Sequence, residues 1–160
     1  MPSFQLADDL LPRARALLER ERDRLHGVVD GTLELTGGSS VPGALTGGDV
    51  DLHLRVPPDS LGSAVEALRD IYDVVLPEIW SETLATFYVR GDERIGVAVT
   101  PIGSEHDRRF VGAWDRLRGD PGLLAAYNAM KMAHADADED RYRAAKAAFF
   151  DGIDGSSGST

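Results

Sequence analysis

The chain of 160 residues contains no cysteine, which removes disulfides, thiolate zinc sites and cysteine nucleophiles from consideration. Any bound metal must therefore use oxygen or imidazole ligands. The sequence also lacks a run of roughly 18 apolar residues, the length that a membrane span needs. No hydrophobic region typical of a signal peptide follows Met1. We therefore expect a cytoplasmic protein with no membrane partner.

Positive charge is scarce in this chain. It has 17 basic residues against 27 acidic ones, for a formal net charge of −10. Nonspecific binding to a phosphate backbone would work against this field, so we expect no nucleic-acid partner. Lysine occurs only at Lys131 and Lys146, and all other basic residues are arginine. Both lysines follow a tyrosine by four positions, at Tyr127 and Tyr142, and so share a helix face with it.

The length and a hydrophobic content of 42% predict one soluble domain over residues 1–153. The polar, glycine-rich residues 154–160 predict a disordered tail. Hydrophobic periodicity predicts a long amphipathic helix from Leu10 to Gly27, a second helix after Pro57-Pro58 and three short helices after about residue 106. Alternating and β-branched segments predict an α+β fold with a mixed sheet of about five strands, at residues 32–36, 49–56, 72–79, 83–89 and 95–101.

Two aspartates at the start of the second predicted strand form the most informative pattern. Asp49 and Asp51 are two apart, so both carboxylates project from the same face of the strand. Two adjacent anions repel each other unless a cation neutralises them, and Mg²⁺ commonly takes one or two carboxylates together with substrate phosphates. Upstream, the sequence Gly37-Gly38-Ser39-Ser40 allows backbone amides and hydroxyls to approach a phosphate closely. The combination predicts a site for a magnesium-bound nucleotide.

Other interpretations of these aspartates remain open at this stage. An isolated Asp-x-Asp pair on a strand is most often simply solvated. A phosphatase-like use, with aspartate as nucleophile, is less favoured because His53 stands where threonine or valine usually follows. The two lysines also have a structural alternative, in which each tyrosine lies in the core and the lysine stem extends past it to solvent.

The spacing of the loop and the acidic pair resembles a known superfamily signature. A Gly-Ser pair is separated from Asp49 by nine residues, Ser40 to Gly48, as in DNA polymerase β-like nucleotidyltransferases. The loop from Gly38 to Gly43 with Pro42, followed by Gly48-Asp49-Val50-Asp51, resembles that of GrpB-family proteins. The carboxy-terminal pattern of that family is matched by Trp114-Asp115-Arg116-Leu117-Arg118, Pro121, Tyr127-x3-Lys131, Arg141-Tyr142-x3-Lys146 and Phe149.

This resemblance implies a nucleotidyltransferase (polymerase β-like) topology flanked by helices, with a helical carboxy-terminal part. It implies Mg²⁺ or Mn²⁺ as cofactor and transfer of a nucleotidyl group from a nucleoside triphosphate to a small-molecule or protein acceptor. The alternative is a catalytically inactive nucleotide- or ligand-binding domain of the same fold. The expected site residues are Asp49 and Asp51 for catalysis and metal binding, and Gly38, Ser39, Ser40, Lys131 and Lys146 for nucleotide binding.

The sequence departs from the family pattern in ways that bear on activity. Gly47 stands where the family often has lysine, and Trp114 where it often has arginine. On the strand from residue 95, Val97-Ala98-Val99 supply neither the family's His-x-His nor a third carboxylate. Two aspartates clamp a pair of metal ions less firmly than three acids. Glu34 and Glu78 are the candidates to replace the missing acid, and His53, on the same strand face as Asp49 and Asp51, is a candidate for proton transfer.

Overall fold

The computed structural model describes residues 4–157. Among these residues, no helix is both long enough and apolar enough to cross a bilayer. In chain order the strands are β1 (Gln5–Leu6), β2 (Thr32–Thr36), β3 (Leu45–Thr46), β4 (Val50–Val56), β5 (Tyr72–Val74), β6 (Ala85–Val89) and β7 (Ile95–Pro101). The helices are α1 (Ala7–Leu25), α2 (Leu61–Arg69), α3 (Glu105–Gly119), α4 (Pro121–Ala133) and α5 (Glu139–Ser157).

A mixed five-stranded sheet with the order β2-β4-β7-β6-β5 forms the centre of the fold. Strands β4 and β7 run parallel, and the other three pairs are antiparallel. The expectation of an α+β fold with a mixed sheet of about five strands, flanked by helices and with a helical carboxy-terminal part, is therefore confirmed. Strands β1 and β3 form a separate two-stranded sheet, which the sequence pattern did not predict.

The strand β4 alternates between two different environments because successive side chains point to opposite faces. On one face, Leu52 and Leu54 point into the main core, which α1 and α2 cover. There they join Val97 of β7 and Leu17 of α1. The other face carries the predicted site residue Asp51 together with His53 and Arg55. This polar face lies under α3, whose Asp107 and Phe110 contact it.

A second apolar cluster joins the carboxy-terminal helices to the loop between β2 and β4. Trp114 of α3 stacks edge-on against Tyr127 of α4, with ring centroids 5.8 Å apart. The loop residues Val41 and Ala44 are fully buried in the same cluster. Burial of these side chains fixes the loop against α3 and α4, so the loop conformation depends on the helical part of the chain.

Several element boundaries differ from the sequence prediction. The predicted strand 72–79 ends at Val74, because Leu76 adopts a left-handed conformation (φ 48°) and a 3₁₀ turn follows over Pro77–Ile79. Pro77 has no N–H to donate to a neighbouring strand. The last three helices have 15, 13 and 19 residues and are longer than expected. Helix α5 reaches Ser157, so its backbone includes the first part of the predicted tail 154–160, and residues 158–160 lie outside the described range.

Candidate functional site

A cavity of about 480 Å³, called here the main cavity, opens where the loop, the start of β4 and the helices α4 and α5 meet. Its lining includes Tyr127, Lys131, Tyr142 and Lys146, so both predicted Tyr-x3-Lys pairs contribute to it. Residues more than 80 positions apart in sequence thus converge on one site. Of the predicted site residues, the cavity is lined by Gly38, Asp49, Asp51, Lys131 and Lys146, whereas Ser39 and Ser40 do not line it.

The loop passes very close to the aspartate strand. Gly37 has a φ of +72°, and a Cβ at this position would lie 2.5 Å from Oδ2 of Asp51. A side chain at Gly37 is therefore excluded both by the backbone conformation and by Asp51. A Cβ at Gly38 would lie 3.0 Å from Oη of Tyr127 and 3.5 Å from Nζ of Lys131. The two glycines thus allow the loop to fit between β4 and α4.

The two serines of the loop do not line the main cavity. Ser39 is 2% exposed, and its Oγ has no hydrogen-bond partner in the described part of the chain. Oγ of Ser40 donates to the carbonyl of Gly37 at 2.7 Å and accepts from Nη2 of Arg118 at 2.8 Å. Arg118 also donates from Nε to the carbonyl of Ser40 at 3.2 Å. In this conformation Ser40 shapes the loop, and binding of phosphate by the serines stays a prediction.

The two aspartates have different surroundings. Asp49 is exposed and forms an ion pair with Nε of Arg94 at 3.0 Å. Asp51 is partly buried, and burial raises the pKa of its carboxyl. The positive charge of Lys146 opposes this rise in the pKa of Asp51, whereas the negative charge of Asp49 adds to it. Burial thus disfavours the charged form of Asp51, and a bound cation would favour it.

Lys131 is almost completely removed from solvent, with 6% of its surface exposed. Its Nζ donates to the carbonyl of Leu45 at 2.8 Å and lies 5.1 Å from the ring centroid of Tyr127. Burial, followed by repulsion from Lys146, lowers the pKa of Lys131 to about 8. Tyr127 lies in the core, as the structural alternative predicted, but Lys131 does not extend past it into bulk water.

The position beside Asp51 on the neighbouring strand is occupied by glycine. Asp51 pairs with Gly96 of β7, whereas Val97 and Val99 point to the opposite face, into the main core. A third acid on β7 would therefore have to stand at Gly96 or Ala98, which share a face with Asp51, and not at Val97 or Val99. Within residues 4–157, no group of three or more His, Asp or Glu side chains is placed to hold a metal ion.

The two glutamates considered as substitutes for the third acid do not line the main cavity. Glu34 pairs across the sheet with His53, and its charge acts on Arg55 at the far end of β4. Glu78 lies exposed in the 3₁₀ turn after β5. The donor set is thus two carboxylates, which fits one Mg²⁺ completed by phosphate oxygens and water better than it fits a two-metal centre.

His53 is buried on the far side of Asp51 and does not line the main cavity. Its Nε2 lies 2.7 Å from Oγ1 of Thr100, and its ring meets the edge of Phe110 at 5.5 Å between centroids. Burial lowers the pKa of His53 to about 4, and the Arg55 charge adds to this effect while Asp107 opposes it. The structure therefore places His53 in a structural network rather than in a position for proton transfer.

Sequence reasoning missed Arg94 and identified Arg118 only as part of the carboxy-terminal pattern. Arg94 donates from Nη2 to the carbonyl of Gly47 at 3.2 Å, besides its ion pair with Asp49, so it ties the loop to the turn before β7. No spacing rule identifies such a residue, because exposed arginines are common and usually unspecific. The signal for Arg118 was its place in the carboxy-terminal pattern, which did not reveal its contact with Ser40.

Family and sequence comparisons identify proteins that are similar to this chain. A family model described as GrpB protein matches residues 9–155. A UPF0157 protein of Vibrio cholerae serotype O1 is 30% identical over 125 residues, which make up 78% of this chain and 66% of that relative. The chain thus spans slightly less than two thirds of that relative's length.

Solved structures show a related fold. The crystal structure of the conserved protein GrpB from Enterococcus faecalis superimposes with a TM-score of 0.62 and 16% identity, covering 89% of this chain and 95% of that one. A structure of the Cid1 poly(U) polymerase with bound MgGTP gives a TM-score of 0.49 and 15% identity, over 76% of this chain and 41% of that one. The second similarity is too low to support an argument about this chain.

Proposed function

The chain belongs to the GrpB family, and from this membership and the residues of the main cavity we propose that it binds a nucleoside triphosphate together with Mg²⁺ or Mn²⁺. The observation that carries this proposal is the charge arrangement of the main cavity. Two carboxylates, Asp49 and Asp51, and the only two lysines of the chain line the same space. A metal-bound polyphosphate has the complementary charges, because its cation suits carboxylates and its oxygens suit ammonium groups.

Each group of residues has a separate task in this proposal. Asp49 and Asp51 would hold the metal ion, which when bound supplies positive charge to the phosphates of the substrate. Lys131 and Lys146 bind terminal phosphate oxygens from α4 and α5. Gly38, whose lack of a side chain brings the loop backbone close to Lys131, presents backbone to the same phosphates. The volume of about 480 Å³ lies within the range of small-molecule sites.

The candidate reaction is transfer of a nucleotidyl group to a hydroxyl or amine. The acceptor oxygen or nitrogen forms a bond to the α-phosphorus, and the bond from the α-phosphorus to the bridging oxygen breaks. Pyrophosphate leaves with the electron pair of that bond, and the acceptor proton passes to water. A second candidate, a binding domain without turnover, is favoured by the absence of an acid at Gly96, beside Asp51.

Thermal unfolding tests the binding step. We expect ATP, GTP, CTP or UTP to raise the melting temperature only when Mg²⁺ or Mn²⁺ is also present, because the metal completes the charge match. At about 100 times the dissociation constant, the stabilisation is about 2.7 kcal/mol. Asp51→Asn keeps the size of the side chain and removes its charge, so it abolishes this increase. Asp59→Asn, an exposed turn position outside the cavities lined by Asp51, retains it.

Two results would contradict the proposal. One is the absence of any nucleotide-dependent shift in either metal; the other is an equal shift in the Asp51→Asn variant. The double variant Asp49→Asn/Asp51→Asn gives a further test. If it binds no nucleotide and its metal-free form is more stable than the parent chain, the two aspartates only repel each other and do not form a binding site. Release of pyrophosphate separates the two candidates, since a binding domain without turnover gives the thermal shift alone.

A further inference from the structure

A second cavity adjoins the main cavity and shares Asp51 and Lys146 with it. This cavity, called here the side cleft, has a volume of about 270 Å³. Apart from the two shared residues it is mostly apolar. Its walls include Val75, Leu76, Tyr88, Ala98, Phe110 and Trp114. The side cleft is thus an apolar space with one charged end, which is formed by the predicted metal-binding carboxylate of Asp51 and by Lys146.

The glycine at position 96 creates the connection between Asp51 and the side cleft. A Cβ at Gly96 would lie 3.1 Å from Oδ1 of Asp51 and 3.7 Å from Cε1 of Tyr88. A side chain at Gly96 would therefore crowd a carboxylate oxygen and contact an aromatic ring, and glycine keeps this part of the side cleft open. Glycine in the interior of a strand often marks a site where a ligand approaches the backbone closely.

Two further residues of the side cleft are unusual for their positions. Tyr88 is 54% exposed, although it is a large aromatic residue within a sheet. Leu76 is the single non-glycine residue with positive φ in the described part of the chain. Backbone conformations of this kind persist where the surroundings hold them, and they concentrate at ligand-binding sites. Both residues line the side cleft next to the proposed nucleotide site.

On the basis of the proposed function, we propose that the side cleft binds the acceptor. This acceptor is a small molecule with an aromatic or apolar ring that bears a hydroxyl or amine. The ring lies among Leu76, Tyr88 and Phe110, and the polar group lies beside Asp51. The volume equals that of about nine water molecules at about 30 Å³ each, which suits a single-ring compound. The apolar walls favour such a ring over a sugar or a polyamine.

A third cavity at Asp51 presents the competing chemistry. It has a volume of about 320 Å³ and includes Asp73, Asp92 and Glu93. Two of these acids are already paired, Asp73 with Arg90 at 3.1 Å and Glu93 with Arg20 at 2.6 Å. Ion pairing within the protein reduces the attraction of these acids for a cationic ligand. A polyamine acceptor therefore serves as the alternative outcome of the experiment.

Titrations followed by two-dimensional ¹H–¹⁵N NMR of the full chain separate these ligands by position. Benzyl alcohol supplies a ring and a hydroxyl, glycerol supplies hydroxyls alone, and spermidine supplies positive charge. We expect benzyl alcohol to shift the amides of Leu76, Tyr88 and Gly96, with a dissociation constant on the order of 1 mM, as is usual for so small a ligand. Glycerol leaves these amides unchanged. ATP with Mg²⁺, added separately, shifts the amides of Gly38 and Gly47.

Two variants test the position of the ring. Ala98→Leu fills the side cleft from β7 and is expected to weaken benzyl alcohol binding at least tenfold. Tyr88→Ala removes an exposed wall, carries little risk for folding, and is expected to weaken binding several-fold. Neither Ala98 nor Tyr88 lines the main cavity, so both variants keep the ATP shifts. Ile102→Ala, an exposed apolar position outside both cavities, serves as the matched control and binds like the parent chain.

The outcomes distinguish this inference from the proposed function. ATP shifts without benzyl alcohol shifts would overturn the acceptor class and leave nucleotide binding intact. Spermidine shifts at Asp92 and Glu93 in place of benzyl alcohol shifts would assign the acceptor to the third cavity. Benzyl alcohol shifts without any ATP shift would overturn the acceptor role, because the side cleft would then bind its ligand without a nucleotide site beside it.

Discussion

Lys131 and Lys146 line the same cavity but have different surroundings. Lys131 is buried, hydrogen-bonded to a backbone carbonyl and close to two aromatic rings, those of Tyr127 and Phe4. Lys146 is partly exposed and lies at the junction of the main cavity and the side cleft. Its charge opposes the rise that burial causes in the pKa of Asp51, and it adds to the effect of burial in lowering the pKa of Lys131. The two lysines are therefore expected to respond differently to pH and to substitution.

We predict that ATP affinity falls with rising pH above about 8. The free chain loses the Lys131 proton through its pKa of about 8, whereas bound triphosphate holds that proton on the ammonium group. Each pH unit above this value then lowers the affinity about tenfold, until Lys131 also deprotonates in the complex. Isothermal titration calorimetry with Mg-ATP between pH 7 and pH 9.5 measures this dependence.

Variants at both lysines decide the origin of that pH dependence. When affinity is plotted against pH, the parent chain shows a change in slope, or break, near pH 8. Lys131→Met removes this break and weakens binding by about 1.5–3 kcal/mol, as expected for loss of a charge-assisted contact. Lys146→Met also weakens binding, but it moves this change in slope to higher pH, because burial then lowers the Lys131 pKa without the added repulsion from Lys146. A break that stays near pH 8 in Lys131→Met would show that another group titrates.

At the scale of elements, strand β4 combines two separate polar networks on one face. Its first half presents Asp51 to the main cavity, and its second half presents Arg55 to Asp107 of α3. Arg55 donates from Nε and Nη2 to the two carboxylate oxygens of Asp107, at 2.6 and 3.0 Å. Burial alone would raise the pKa of Asp107, but the Arg55 hydrogen bonds and the Gly103 amide hold it below its usual value.

Breaking this bidentate pair is predicted to destabilise the fold. Asp107 has 2% of its side chain exposed, so Arg55→Met leaves a buried carboxylate without its arginine partner. The expected loss in the free energy of unfolding is about 3 kcal/mol at pH 7, measured by urea denaturation. The matched control is Arg143→Met, since Arg143 pairs with a Glu139 that is 75% exposed. That change is expected to cost less than about 1 kcal/mol.

The loss in Arg55→Met should shrink in acid. The depressed pKa of Asp107 contributes stability above its ordinary unfolded pKa of about 3.9, and this contribution disappears as the pH falls through the lower folded value. A double variant that also changes Asp107 to asparagine should recover part of the stability, because the unpaired charge is then removed. An equal loss in Arg55→Met and Arg143→Met would show that the Arg55 pair behaves like a surface pair.

The elements that sequence reasoning predicted well are those with a clear hydrophobic period. The range predicted for β2 is the observed one, Thr32–Thr36, and β4 differs from its predicted range by one residue at its start. The segment after β5 was wrongly extended because Val75 and Ile79 favour a strand locally. The left-handed Leu76 that ends this strand has no local sequence signal. Such positions depend on tertiary contacts that a periodicity rule does not include.

At the scale of the whole molecule, the main cavity lies between two apolar clusters. One cluster joins the sheet to α1 and α2, and the other joins α3, α4 and α5 to the loop. The aspartates belong to the sheet side and the lysines to the helical side. The sequence predicted both sets from motifs, but their meeting in one cavity depends on the packing of Trp114 and Tyr127, about 70 residues downstream of Asp51.

The same arrangement explains why the catalytic details could not be predicted. A strand motif specifies which residues share a face, but it does not specify which neighbour lies beside them across the sheet. The parallel register of β4 and β7 puts Gly96 beside Asp51 and turns Val97 to the core. The side cleft follows from that register and from Tyr88 on the next strand, and neither had a sequence signal of its own.

A ligand that bridges the two clusters should stabilise the helical side most. We predict that Mg-ATP slows amide hydrogen exchange in α4, in α5 and in residues 37–47, because opening of these segments separates the lysines from the aspartates. At about 100 times the dissociation constant, the slowing reaches about 100-fold for amides that exchange through this local opening. Amides of α2 and β5, remote from the main cavity, change less as long as they exchange through local fraying.

Mass-spectrometric exchange with the Asp51→Asn variant as control measures both regions. Equal slowing in α2, β5 and α4, or slowing that persists in Asp51→Asn, would mean that the nucleotide does not bridge the sheet and the carboxy-terminal helices at this cavity.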